Sequence, residues 1–111
     1  MSNPSGAGVN ASQSLIELRK KVENYLLDIN DILVKDVDVD INVYDTVRDL
    51  SDKVKNMLYC EKGEYCKIPD ALLWALDLAE DIQRIAGYAK IIDVYIKASQ
   101  IANEIRSFYF G

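Results

Sequence analysis

Cys60 and Cys66 stand six positions apart in "YCEKGEYCKIPD", and they are the only cysteines in the chain. Three chemistries suit such a pair. A structural zinc site needs four ligands, and here two thiolates leave only carboxylates or tyrosines to complete it, at a spacing unlike a zinc knuckle. A four-thiolate site shared by two copies of the chain is conceivable. A redox pair favours C-x-x-C at a helix N-terminus, where the thiolate is stabilised. Here Cys66 precedes Pro69 by three residues and Cys60 falls at the end of the preceding helix, which is poor geometry for that role. A disulfide closing the turn between them requires α-carbons within about 7 Å, which Gly63 makes easy. It would contribute about 2–3 kcal/mol, chiefly through the unfolded chain. The staple is the favoured expectation, with free thiols and a metal or redox role left open.

Carboxylates are the next candidates. In "DVDVDIN", Asp36, Asp38, Asp40 and Asn42 fit positions one, three, five and seven of a calcium loop. Such a loop needs glycine at position six and a bidentate glutamate at position twelve. Ile41 and Val47 stand there instead, so a helix cap and a solvated face is the better expectation. Asp77, Glu80 and Asp81 put three carboxylates within one helical turn, with Glu80 spaced to pair with Arg84 at i+4. Histidine is absent altogether. That removes the commonest general base near neutral pH and the commonest metal ligand. Triads and histidine–carboxylate metal sites within one chain go with it. A non-enzymatic protein without a cofactor is the expectation.

The C-terminal "IRSFYFG" places Ile105, Phe108 and Tyr109 at i, i+3 and i+4. This resembles the short box by which many proteins dock onto sliding clamps, Q-x-x-[ILM]-x-x-[FY]-[FY], with Ala102 in place of the glutamine. The resemblance spans eight residues and implies an accessory subunit of a nucleic-acid assembly reached through its C-terminus. Direct nucleic-acid binding is disfavoured by a net charge of −5. Lys90, Lys97 and Arg106 outnumber Asp93 and Glu104 beyond Ile85, but they form no basic patch.

The elements that must position these residues emerge from periodicity. Residues 1–13, small and polar, read as a flexible tail without the basic and apolar regions of a secretory signal. A capping box, Ser14 to Glu17, opens a helix to about Lys35. Its stripe is Leu15, Leu18, Val22, Tyr25, Ile29 and Ile32, widened by Leu26 and Leu33. Residues 36–43 alternate with period two, as an edge strand or, preferably, an extended connection with Asp40 or Asn42 capping the next helix. Val43, Val47, Leu50, Val54 and Met57 carry that second helix, on which Asp49 and Lys53 sit at i and i+4. Pro69 and Asp70 suit the first turn of a third.

From there to about Phe108 the only turn former is Gly87. The stretch "RIAGYAK" is too apolar for an ordinary loop, so one continuous or kinked helix is favoured over a break. Its polar stripe is narrow: Lys90, Asp93, Lys97, Gln100, Glu104 and Ser107. The rest is apolar enough to need more than one covering neighbour, which a partner chain could supply.

The expected fold is therefore all-α. It is an antiparallel bundle of three long helices, or four if the last breaks near Gly87, with residues 14–111 as one domain. Homodimerisation is expected through the C-terminal helix, with Ile101, Ile105, Phe108 and Tyr109 as partner-binding residues. An unidentified protein partner completes the expectation. No stretch approaches the roughly 18 apolar residues of a membrane span, and the default compartment is cytoplasmic. The isoleucine-, lysine- and tyrosine-rich composition, without histidine, suggests a thermophilic source.

Overall fold

Charge pairs between helices record the topology of the chain. Lys21 and Asp28 meet Glu104 and Lys97 respectively, at 3.7 and 3.3 Å, so the first helix and the last run antiparallel. In this computed structural model, residues 4–36, 38–59 and 68–110 are described, and the side chains of 4–13, 68 and 69 are not. Four helices account for nearly all of them: α1 (Pro4–Lys35), α2 (Ile41–Leu58), α3 (Ile68–Ala89) and α4 (Ile92–Phe110). Each is joined to the next as an antiparallel neighbour. Broad contacts link α2 to α3, α3 to α4 and α4 back to α1, whereas α1 and α2 meet only narrowly. The result is an antiparallel helical bundle with one loosely closed seam. None of the helices is long and apolar enough to cross a membrane, among the described residues.

The core is the set of stripes that periodicity picks out. Leu18, Val22, Leu26, Ile29 and Leu33 are buried along α1, and Val47, Val54 and Leu58 along α2. On α3 the inward face is largely alanine: Ala71, Ala75, Ala79 and Ala86 alternate with Leu72, Leu76 and Ile82. Small residues let the backbones of α2 and α4 come close on either side. Val94, Ala98, Ile101, Ala102 and Ile105 fill the inward face of α4. Each fully buried aliphatic side chain contributes about 1.5–3 kcal/mol.

Four features differ from expectation. Helix α1 starts at Pro4 and not at the Ser14 capping box, so helical backbone runs through most of the stretch expected as a tail. The alternating "DVDVDIN" forms no strand among its described residues. Asp36 accepts from the amide of Asp38 at 3.0 Å, and Asp40 caps α2 by accepting from Asn42 and Val43 at 2.9 and 3.3 Å. Short aspartates satisfy local amides more readily than a lone strand can.

The third difference is that the long C-terminal helix is two helices. The chain turns at Lys90 (φ 61°), the only described non-glycine residue with positive φ. The Ile91 amide bonds the Ala86 carbonyl at 2.9 Å and the Lys90 amide bonds the Gly87 carbonyl at 3.2 Å. This is the Schellman pattern, with Lys90 in the left-handed position and apolar Ile91 folding back onto the helix it ends. A turn this short needs no polar loop, which is why "RIAGYAK" reads as helical throughout. Gly87 remains inside α3, where the Tyr95 ring lies over its α-carbon.

The fourth concerns pairing. Glu80 does not bond Arg84; it reaches Arg106 of α4, and Arg84 turns to Asp81. The Asp49–Lys53 pair forms as spaced, at 3.1 Å.

Candidate functional site

The residues expected to bind a partner are mostly spent on the core. Ile101 and Ile105 have no exposed surface at all, and Phe108 is half-buried against the same cluster. With the hairpin folded at Lys90, α3 covers one side of α4 and α1 the other, so the two isoleucines never face solvent. Tyr109 stays 37% exposed, edge-on to the ring of Phe110. The clamp-like box fails for the same reason. Its aliphatic anchor and first aromatic would have to leave the core to enter a partner. Cys60 and Cys66 lie outside the described residues, as does the turn between them.

The polar stripe of α4 is also not where an amphipathic helix would put it. Lys97 and Glu104 lie along α1, held by Asp28 and Lys21, and the Lys97 ammonium sits 5.7 Å from the centre of the Tyr25 ring. The face of α4 left to solvent is the other one. Near its start, Ile92, Tyr95 and Ile96 stand at i, i+3 and i+4 and are all exposed, Ile92 by 68%. Tyr88, across the Lys90 turn, is 84% exposed, and Tyr95 rests on Gly87 beside it. The corner is therefore a convex apolar knob, flanked by the exposed Asp93 in the first turn of α4. A cluster of four large apolar side chains on the surface of a small domain marks an interaction site more often than chance exposure does.

The second feature is concave. At the lower end of the α1–α2 seam, buried Arg19 (7% exposed) donates from Nε to the Leu58 carbonyl at 2.7 Å and lies 5.1 Å from the centre of the Tyr59 ring. It thereby serves an orphan carbonyl and the negative end of α2 together. Tyr59 donates to Glu23, which also meets Lys55 at 3.5 Å. Above this clasp the helices part. A cleft of about 240 Å³ opens between them, floored by Leu26, Ile29 and Leu33 and walled by Arg48 and Ser51. The Ser51 hydroxyl oxygen is buried without a hydrogen bond among the described residues. Arg48 stacks on Tyr44, 5.7 Å from its ring centre, and has no carboxylate partner among the described residues. Leu27, at the rim, is 63% exposed.

Sequence reasoning missed both features. The knob depends on which side of α4 the hairpin turns outward, and the cleft on how narrowly α1 meets α2. Neither is a property of one helix's periodicity. Among the described residues no three cysteine, aspartate or glutamate side chains gather to hold a metal ion. No family model, no characterised protein and no solved structure matches the chain.

Proposed function

We propose that this protein is a non-enzymatic interaction module, an adaptor or small subunit of a larger assembly, that self-associates through the start of α4. The observation that carries this is the exposed quartet of Tyr88, Ile92, Tyr95 and Ile96. The bundle leaves these side chains in water although the rest of the α4 apolar surface is largely covered. Burying one isoleucine is worth about 1.5–3 kcal/mol, so a few such side chains supply a strong drive toward association. The chain's net charge of −5 opposes association of copies in general. At the corner, Lys90 and Asp93 balance each other locally.

Sedimentation velocity from micromolar to millimolar chain tests this. The wild type is expected to sediment as an oligomer and Ile92→Asp as a monomer, with unchanged helical circular dichroism because Ile92 supports no core. A wild type that stays monomeric throughout refutes the proposal. The accessory-subunit reading through the C-terminal box is not favoured, because Ile105 and Phe108 are engaged in the core.

A further inference from the structure

We infer that the corner knob of one copy docks into the α1–α2 seam of another, so that the chain associates head to tail and not face to face. The inference rests on the self-association proposed above and specifies its mode. Two surfaces of this chain are complementary in shape, polarity and charge. The knob is convex and apolar, and it carries the exposed carboxylate of Asp93 next to Ile92 and Ile96. The seam is concave, with the apolar floor of Leu26, Ile29 and Leu33, and it carries the guanidinium of Arg48 on its wall. Neither Asp93 nor Arg48 has an ionic partner within its own copy, among the described residues.

A helix laid in an apolar groove is anchored by side chains at i, i+3 and i+4. Ile92, Tyr95 and Ile96 present that pattern on the outer face of α4. The receiving trough extends beyond the cleft. Leu27 and Val34, one heptad apart on α1, are both exposed along its rim, a span of roughly 10 Å. That accommodates the first turn of an incoming helix. The bundle's other three seams are closed by broad helix–helix contact, so this one is where an extra helix finds room. Two knobs facing each other across a two-fold axis would instead bring convex surfaces together and leave the cleft and both charges unmatched. A heterologous contact of this kind generates a ring if the rotation closes and a fibre if it does not.

Complementation between two surface variants separates the modes. Ile92→Asp destroys the knob and leaves the seam intact; Leu27→Asp does the reverse. Both positions are exposed, so both variants should fold, which circular dichroism and thermal melting check. Each alone is expected to weaken association by about a hundredfold or more, because a carboxylate is forced into an apolar contact. Mixed, they retain one good knob and one good seam, and a one-to-one heterodimer that grows no further is expected. Arg48→Asp should weaken assembly about tenfold, with recovery when it is combined with Asp93→Arg. If Leu27→Asp and Arg48→Asp assemble like the wild type while Ile92→Asp does not, the seam receives no copy of this chain. The head-to-tail mode then fails although self-association stands. If each variant is monomeric and the mixture forms no heterodimer, the mode fails equally. A wild type that is itself monomeric removes both the mode and the self-association it rests on.

Discussion

Replacing Lys90 by glycine should raise the stability of this protein, although the same change inside a helix lowers it. Lys90 sits at φ 61°. The left-handed conformation costs a residue with a β-carbon about 1–2 kcal/mol and costs glycine nothing. Glycine's greater freedom in the unfolded chain returns about 0.5–1 kcal/mol of that gain. The two bonds that close the corner, Ile91 to Ala86 and Lys90 to Gly87, use backbone atoms only and survive the substitution. The net expectation is a stabilisation of about 0.5–1 kcal/mol. At about 2.1 cal/mol/K per residue of unfolding entropy, that is a rise in Tm of roughly 2–5 °C for a domain of this size. Had α3 and α4 been one helix, glycine at this position would cost about 0.7–1 kcal/mol and Tm would fall by a similar amount. The two architectures thus predict opposite signs. Thermal melting followed by circular dichroism decides, at a chain concentration low enough to keep the protein in one association state. Lys90→Ala serves as the control for lost charge, since alanine keeps the β-carbon and should leave Tm nearly unchanged. A fall in Tm for Lys90→Gly would refute the Schellman corner and restore the continuous helix.

Arg19 gives a second expectation. Lysine there keeps the charge but loses the planar stack on Tyr59 and the Nε bond to the Leu58 carbonyl. The loss is about 2–4 kcal/mol, from a charged hydrogen bond and a cation–π contact together. Urea unfolding reads it as a lower midpoint, and a change below about 1 kcal/mol would show that the clasp carries little of the α1–α2 contact. Ile101→Ala should cost about 2–5 kcal/mol as a cavity in the core, while leaving the sedimentation behaviour of the folded protein untouched. Lost association at unchanged stability would instead place Ile101 on a partner surface, against its complete burial.

Much of the bundle is legible one helix at a time. The apolar stripe of α1 and the inward faces of α2 and α3 emerge from spacing alone, because a helix must bury its apolar face somewhere. The Asp40 cap and the Asp49–Lys53 pair are equally local, decided by residues within one turn of each other. Where competing local solutions are close in energy, spacing misleads. Glu80 lies within reach of Arg84 on its own helix, yet Arg106 arrives from α4 and takes it. Ser14 and Glu17 match a capping box, yet helical backbone continues past them to Pro4. Asp36, Asp38 and Asp40 alternate like a strand, yet Asp36 and Asp40 each hold a nearby amide and so stabilise a turn.

The all-α class, the inward stripes and the limits on chemistry in a chain with no histidine are written in the order of its residues. These are local or compositional properties, settled before any helix meets another. The corner at Lys90 is of a different kind, because it exists only once α3 and α4 pack, and most of the functional argument depends on it. It turns one long apolar helix into a hairpin, sends Ile101 and Ile105 inward between α1 and α3, and leaves Ile92 and Ile96 outside. The apolar residues of α4 outnumber what a single inward face can bury. Which of them remained in water was settled by the side of the helix that its neighbours happened to cover.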